Sequence, residues 1–113
     1  MQNLDAAFSA LGDPTRRAIL SRLAMGEATV MELAQPFDMS QPAVSRHLRV
    51  LEEAGLITRR VEGAKRPCRL APGGIAAIDQ WLGLLRKALE TNYGRLDKVL
   101  AAQTKERKRK DNL

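Results

Sequence analysis

The chain has 113 residues, enough for one domain around one modest core and too short for two. Hydrophobic residues make up 44% and charged residues 28%, which excludes a disordered or fibrous chain. No apolar run approaches the ~20 residues of a membrane span, no signal-like stretch opens the chain, and one cysteine cannot staple a secreted fold; with a net charge of +6, a cytoplasmic protein with a polyanionic partner is expected.

In chain order, Gln2 to Leu11 places Leu4, Phe8 and Leu11 at helical spacing and predicts a short amphipathic helix. Asp13-Pro14 reads as an N-cap followed by proline at the first helical position, opening a helix that carries Ala18, Ile19 and Leu23 and stops at Gly26. Thr29-Val-Met-Glu32 is a capping box for a short third helix through Leu33 and Ala34, which Pro36 limits. After a turn at Phe37-Asp38-Met39, Ser40 caps a fourth helix through Val44, Leu48 and Leu51, ended by Gly55.

Two extended segments follow, Ile57 to Val61 and Arg66 to Leu70, joined by a turn at Glu62-Gly-Ala-Lys65. Pro72-Gly-Gly74 punctuates, and a long helix is predicted from about Ile75 to the region of Gln103. Lys105 to Leu113, with five basic residues against two acidic ones, reads as an unstructured tail, so a single domain is expected over 1–104 and a basic tail over 105–113. The order is that of a mostly α winged helix-turn-helix: a two-stranded β-hairpin wing, with additional helices at both ends.

In such a fold the second helix of the motif enters the major groove and needs two different faces. At about 100° per residue, Val44, Leu48 and Leu51 share a narrow inward stripe, while Pro42, Ser45, Arg46, Arg49 and Glu53 fall on the other side. Gln41 and Ser45 sit in the first turns, where Gln can pair with adenine and a neighbouring Arg with guanine. Ser40 and Gln41 stand at a helix N-terminus, whose free N–H groups suit a phosphate. The candidate recognition residues are therefore Ser40, Gln41, Pro42, Ser45, Arg46 and Arg49. Alone, such a face is also what a solvated surface helix shows; the capped short helix before it and the basic hairpin after it constrain the reading.

The hairpin holds Arg59, Arg60, Lys65, Arg66 and Arg69 with Glu62 as its one acidic residue, and Arg60, Lys65 and Arg66 are the candidate wing contacts to phosphate or minor groove. Edge charges that keep a hairpin soluble would look similar.

The stretches Leu11-Gly-Asp-Pro-Thr-Arg-Arg-Ala-Ile-Leu and Met39-Ser-Gln-Pro-Ala-Val-Ser-Arg-His-Leu-Arg-Val-Leu-Glu-Glu-Ala-Gly-Leu-Ile resemble the ArsR/SmtB-type winged-helix regulators over roughly residues 4 to 100. The resemblance implies a dimer that binds a near-palindromic operator on double-stranded DNA, represses, and releases DNA when an effector such as a small molecule binds. Metal-sensing members carry a cysteine pair in the third helix, or His and acidic ligands on the last. Here the third helix has no cysteine and the last has Asp79, Glu90 and Asp97 but no histidine, so no metal and no cofactor is expected. His47, beside the Val44/Leu48 stripe, reads as a packing residue with a hydrogen-bond partner, a phosphate contact being the alternative. Cys68 reads as a half-buried structural thiol.

The last helix has Ile75, Ile78, Leu82, Leu85, Leu89, Asn92, Leu96 and Val99 at alternating steps of three and four, a heptad seam that one small domain does not need for itself. A dimer interface is expected through Ile78, Leu82, Leu85, Leu89, Asn92 and Leu96, with Leu4, Phe8 and Leu11 as additional cover. Packing of part of the stripe within the chain is compatible with this. No nucleophile elbow, phosphate-binding glycine loop or clustered acid/base pair is present, so an enzyme is not expected; a non-specific architectural DNA binder is the competing function.

Overall fold

Three helices begin on side chains that accept the free N–H groups of the first turn. Asp13 accepts from the backbone N–H of Arg16 at 3.0 Å, with Pro14 opening the helix. Thr29 and Glu32 form a reciprocal capping box, and the Ser40 hydroxyl accepts from Ala43 N–H at 3.3 Å. In the computed structural model, which describes residues 4–111 without the side chains at 93, 95–99 and 102–111, the elements are α1 (Leu4–Leu11), α2 (Pro14–Leu23), β1 (Ala28–Thr29), α3 (Val30–Ala34), α4 (Gln41–Glu53), β2 (Ile57–Arg59), β3 (Pro67–Leu70) and α5 (Pro72–Asp111). Residues to Asp79 make one unit and those from Gln80 a second.

The core of the first unit is built from Ile19 on α2, Leu33 on α3, Val44, Leu48 and Leu51 on α4, and Leu56, Ile57 and Cys68 around the sheet, all essentially inaccessible to solvent. Leu23 joins Ile19, whereas Ala18 on the same helix is exposed. Phe37 and Met39, in the turn between α3 and α4, pack against this core and hold the turn closed.

Helix α4 ends in a Schellman arrangement: Gly55 N–H donates to Glu52 O and Leu56 N–H to Leu51 O, both at 3.0 Å, with Gly55 at φ +76°. The backbone then turns straight into β2.

The sheet has three antiparallel strands in the order β1-β3-β2, not the two expected. Ala28 pairs with Cys68 on one side of β3, and Arg59 pairs with Cys68 on the other. The wing strands are shorter than expected: after Arg59 the hairpin continues only through Arg60 N–H to Pro67 O at 3.1 Å and the Glu62–Lys65 bridge. Because β3 is central, Cys68 is fully buried rather than half-buried.

Helix α5 starts at Pro72, three residues before the expected Ile75, since proline suits the first helical turn. It continues to Asp111, so 105–111, expected as an unstructured tail, is helical; Lys, Arg and Glu are good helix formers.

Of the residues expected at a dimer interface, Leu4, Phe8 and Leu11 are half-buried, and Leu11 and Ile78 pack against the chain's own core. Leu82, Leu85, Leu89 and Asn92 are exposed, and the side chain of Leu96 lies outside the described residues.

Candidate nucleic-acid interface

The inward stripe of α4 fixes which side chains face outward. With Val44, Leu48 and Leu51 at zero exposure, Gln41, Pro42, Arg46 and Arg49 project into solvent, Ser45 is half-buried on the flank toward the sheet, and the capping Ser40 is exposed. Among the described residues neither Arg46 nor Arg49 has an ion pair or a hydrogen-bond partner, so both guanidiniums carry uncompensated charge.

Two hollows flank this face and share Arg46. One, of 260 Å³, is lined by Pro42, Ser45, Arg46, Arg49 and Arg59 and brings four of the six expected recognition residues together with a residue of β2. Arg59 is held there by Glu52 at 3.0 Å.

The other hollow, of 360 Å³, lies on the opposite flank against α2 and is lined by Arg16, Ala43, Arg46, His47 and Val50. Arg16 is a hub. Its guanidinium donates to the carbonyls of Ala10 at 2.7 Å and Ser9 at 3.3 Å in the last turn of α1, the latter also accepting from Gly12 N–H at 3.1 Å. It also lies 3.3 Å from His47 Nδ1, and since a guanidinium only donates, the ring nitrogen is the acceptor in this contact. Asp13 Oδ2 stands 3.9 Å from the same nitrogen. The Arg16 backbone N–H, with the Arg16 guanidinium behind it, holds the Asp13 carboxyl below the usual carboxylate range, though exposure leaves this of little energetic weight. One arginine thus ties α1, α2 and α4 together. His47 has the hydrogen-bond partner that its position predicts; Arg16, its donor, carries no local signal, because the partners of its guanidinium come from two other elements, α1 and α4.

The three expected wing contacts divide. Arg60 is bound by both carboxylate oxygens of Glu27, in the loop before β1, and by Glu62 at 3.2 Å. Those hydrogen bonds, Glu27 first, raise its pKa further above the usual guanidinium value. Arg66 donates to the carbonyls of Gly63 at 3.1 Å and Lys65 at 3.0 Å, so it closes the wing turn without losing its charge. Lys65 is exposed at the tip, near Glu62 and Glu32. Gly63, at φ +62°, supplies the turn's left-handed residue.

Residues 13–59 match the model of the bacterial regulatory protein, arsR family. The chain is 45% identical over 92 residues to the HTH-type transcriptional regulator Rv2034 of Mycobacterium tuberculosis, covering 81% of this chain and 86% of that one. The chain belongs to the ArsR family. It is also similar to the transcriptional repressor SdpR of Bacillus subtilis, 38% identical over 60 residues that cover 53% of this chain and 67% of the repressor. Among solved structures, an ArsR family transcriptional regulator, RHA00566, superposes with a TM-score of 0.72 at 42% identity, over 77% of this chain and 96% of that one. The homodimeric winged helix-turn-helix DNA-binding domain Mb0332 of Mycobacterium bovis does so with a TM-score of 0.61 at 27% identity, over 74% of this chain and 78% of that one.

The family and these relatives are DNA-binding transcriptional regulators rather than enzymes, and the fold of this ArsR-family chain is their winged helix-turn-helix. Its α3, Val30–Ala34, carries no cysteine. Among the described residues, no three His, Cys, Asp or Glu side chains gather in a group that could hold a metal ion, and no helix is long and apolar enough to cross a membrane.

Proposed function

We propose that this protein is a sequence-specific, homodimeric DNA-binding regulator that places α4 in the major groove of a near-palindromic operator and represses from there. The observation that carries the reading is the outward face of α4: Gln41, Pro42, Arg46 and Arg49 are presented on a capped, core-anchored helix, with both guanidiniums uncompensated. Uncompensated arginines beside a glutamine on a rigid helix are suited to base edges. Ser40, Ser45, Lys65 and Arg66 would contact phosphates, and Arg60, bound by two carboxylates, would anchor the wing. Mb0332, described as homodimeric, supports a second copy as partner. A cytoplasmic site of action suits a DNA-binding chain whose one thiol is buried and unpaired.

Selection of bound sites from random duplexes, followed by footprinting, tests the reading. A preferred two-fold-related site is expected, and Arg46→Ala or Gln41→Ala should relax the base preference by about 1–3 kcal/mol of discrimination for a bidentate contact. Binding without any preferred site would instead establish an architectural DNA binder. Wild-type site preference in both variants would show that another face reads the bases.

A further inference from the structure

Burial of Val44, Leu48 and Leu51 holds α4 in the core, but burial has no direction and sets the roll of the helix about its axis only loosely. Hydrogen bonds are directional, and α4 has a polar tie on each flank. Near its end, on the sheet side, Arg59 donates to Glu52 at 3.0 Å. Half-way along, on the α2 side, Arg16 meets the His47 ring at 3.3 Å.

The second tie lies beside a residue that faces the ligand. Ala43, Arg46, His47 and Val50 are spaced three and four apart, so they form one flank of α4, and with Arg16 they line the 360 Å³ hollow. Arg16 is itself braced from α1, by the carbonyls of Ala10 at 2.7 Å and Ser9 at 3.3 Å. A roll of α4 that carried Arg46 to a new position would pull His47 away from a guanidinium that cannot follow.

The tie depends on a proton. Nδ1 accepts only while it carries none; in the imidazolium both ring nitrogens are donors, and Nδ1–H would face a guanidinium that also only donates. The Asp13 carboxylate, 3.9 Å from Nδ1, is then the acceptor at hand. Of the other charged groups on these elements, Arg46 shares the hollow with His47, and Arg17 is turned to the Leu11 carbonyl at 2.7 Å. Asp5, the one charged residue of α1, stands a turn before Ser9. His47 is the chain's one histidine, and imidazole is the side chain type whose charge ordinarily changes between about pH 5 and 8.

We infer that Arg16 is a positioning residue for DNA recognition: through neutral His47 it fixes the roll of α4 that presents Arg46, and protonation of His47 releases that hold. The inference rests on the DNA-binding function proposed above and adds to it a loss of site selection on acidification. Binding itself persists, because a protonated His47 adds positive charge beside a polyanion. The quantity to read is therefore a ratio of affinities, from which that general gain cancels.

The test is the affinity for the selected site divided by that for a random-sequence duplex, measured for the full chain by fluorescence anisotropy at constant salt from about pH 8 to about pH 5. In wild type the ratio should fall about tenfold on acidification, the scale of one hydrogen bond to a charged group. His47→Asn keeps an acceptor oxygen near the place of Nδ1 and does not titrate, so its ratio should stay close to the wild-type value at pH 8 across the whole range. Arg16→Met, which removes the donor, should have the low ratio at every pH. Melting curves report whether each variant is folded; should Arg16→Met not fold, wild type and His47→Asn decide between them. A wild-type ratio that does not change with pH, a change that persists in His47→Asn, or a wild-type profile in folded Arg16→Met would overturn the inference while leaving site-specific binding in place. Absence of any preferred site for the wild-type chain at pH 8 would overturn the proposed function instead.

Discussion

Arg46 and Arg60 have the same side chain, and their surroundings give them different work. Arg46 stands on the solvent face of α4 with no carboxylate bound to it and keeps its charge for a ligand. Arg60 has its charge matched by Glu27, 33 residues away, which no local reading of the hairpin reveals. Cys68 shows the same dependence on context. As one strand of a two-stranded hairpin, β3 would expose one edge and leave its thiol half-open; β1 covers that edge, and burial pushes the thiol's pKa up. A buried protonated thiol is a poor nucleophile and a poor metal ligand. Folded protein should therefore resist a small alkylating reagent that labels Cys68 at once in denaturant. DNA affinity should not respond to peroxide or zinc, in wild type or in Cys68→Ala. Release of DNA by either agent, abolished in Cys68→Ala, would make this thiol an effector site.

At the scale of elements, the joint between α4 and α5 shows why some boundaries were readable and others were not. Asp13-Pro14, the Thr29–Glu32 box, Ser40 and Gly55 mark their helix ends through local hydrogen bonds, and each stands where its residue type places it. Pro72-Gly-Gly74 looks like a break because two glycines weaken a helix. Gly74 is there for another reason: a Cβ at this position would lie 1.9 Å from the Gly55 carbonyl oxygen, so only glycine lets the first turn of α5 approach the end of α4.

Strand β1 was hidden for a related cause. Two residues have no periodicity, and Ala28–Thr29 is a strand only because Cys68 and Pro67 pair with it. The outward face of α4 was legible from spacing alone, but Arg16 and Arg59 reach the site from α2 and β2 through tertiary contacts.

The glycine joint gives a sign that propensity alone would reverse. Gly83→Ala, where a Cβ meets only the flexible Arg86 side chain at 3.7 Å, should stabilise the protein by up to about 1 kcal/mol. Gly74→Ala should instead destabilise it by about 1–3 kcal/mol, since backbone must move to admit the methyl group. Melting curves of the two variants measure this directly. Equal stabilisation by both would mean that α4 and α5 do not meet as closely as described.

At the scale of the whole molecule, what remains is the apolar surface that the chain does not cover. Ile78 is spent on the chain's own core, yet Leu82, Leu85 and Leu89 are 39%, 45% and 51% exposed along one stripe of α5. A fully buried leucine contributes about 1.5–3 kcal/mol relative to an exposed one, so a partner surface laid on this stripe gains several kcal/mol. Asn92 continues the stripe as a polar residue, and one amide inside an apolar seam can fix the register in which two helices meet. A second copy of the chain meets these requirements because it brings the same stripe and the same amide. Leu85→Glu or Leu89→Glu would place a charge in that seam with no partner to pair it. Light scattering should then show monomer or aggregate, and affinity for a two-fold-related site should fall far more than affinity for a half-site. Lys87→Glu, on the far side of the helix, should keep the wild-type mass. Dimers that persist in both leucine variants would transfer the interface to another surface, with the half-buried Leu4 and Phe8 on α1 the first place to look.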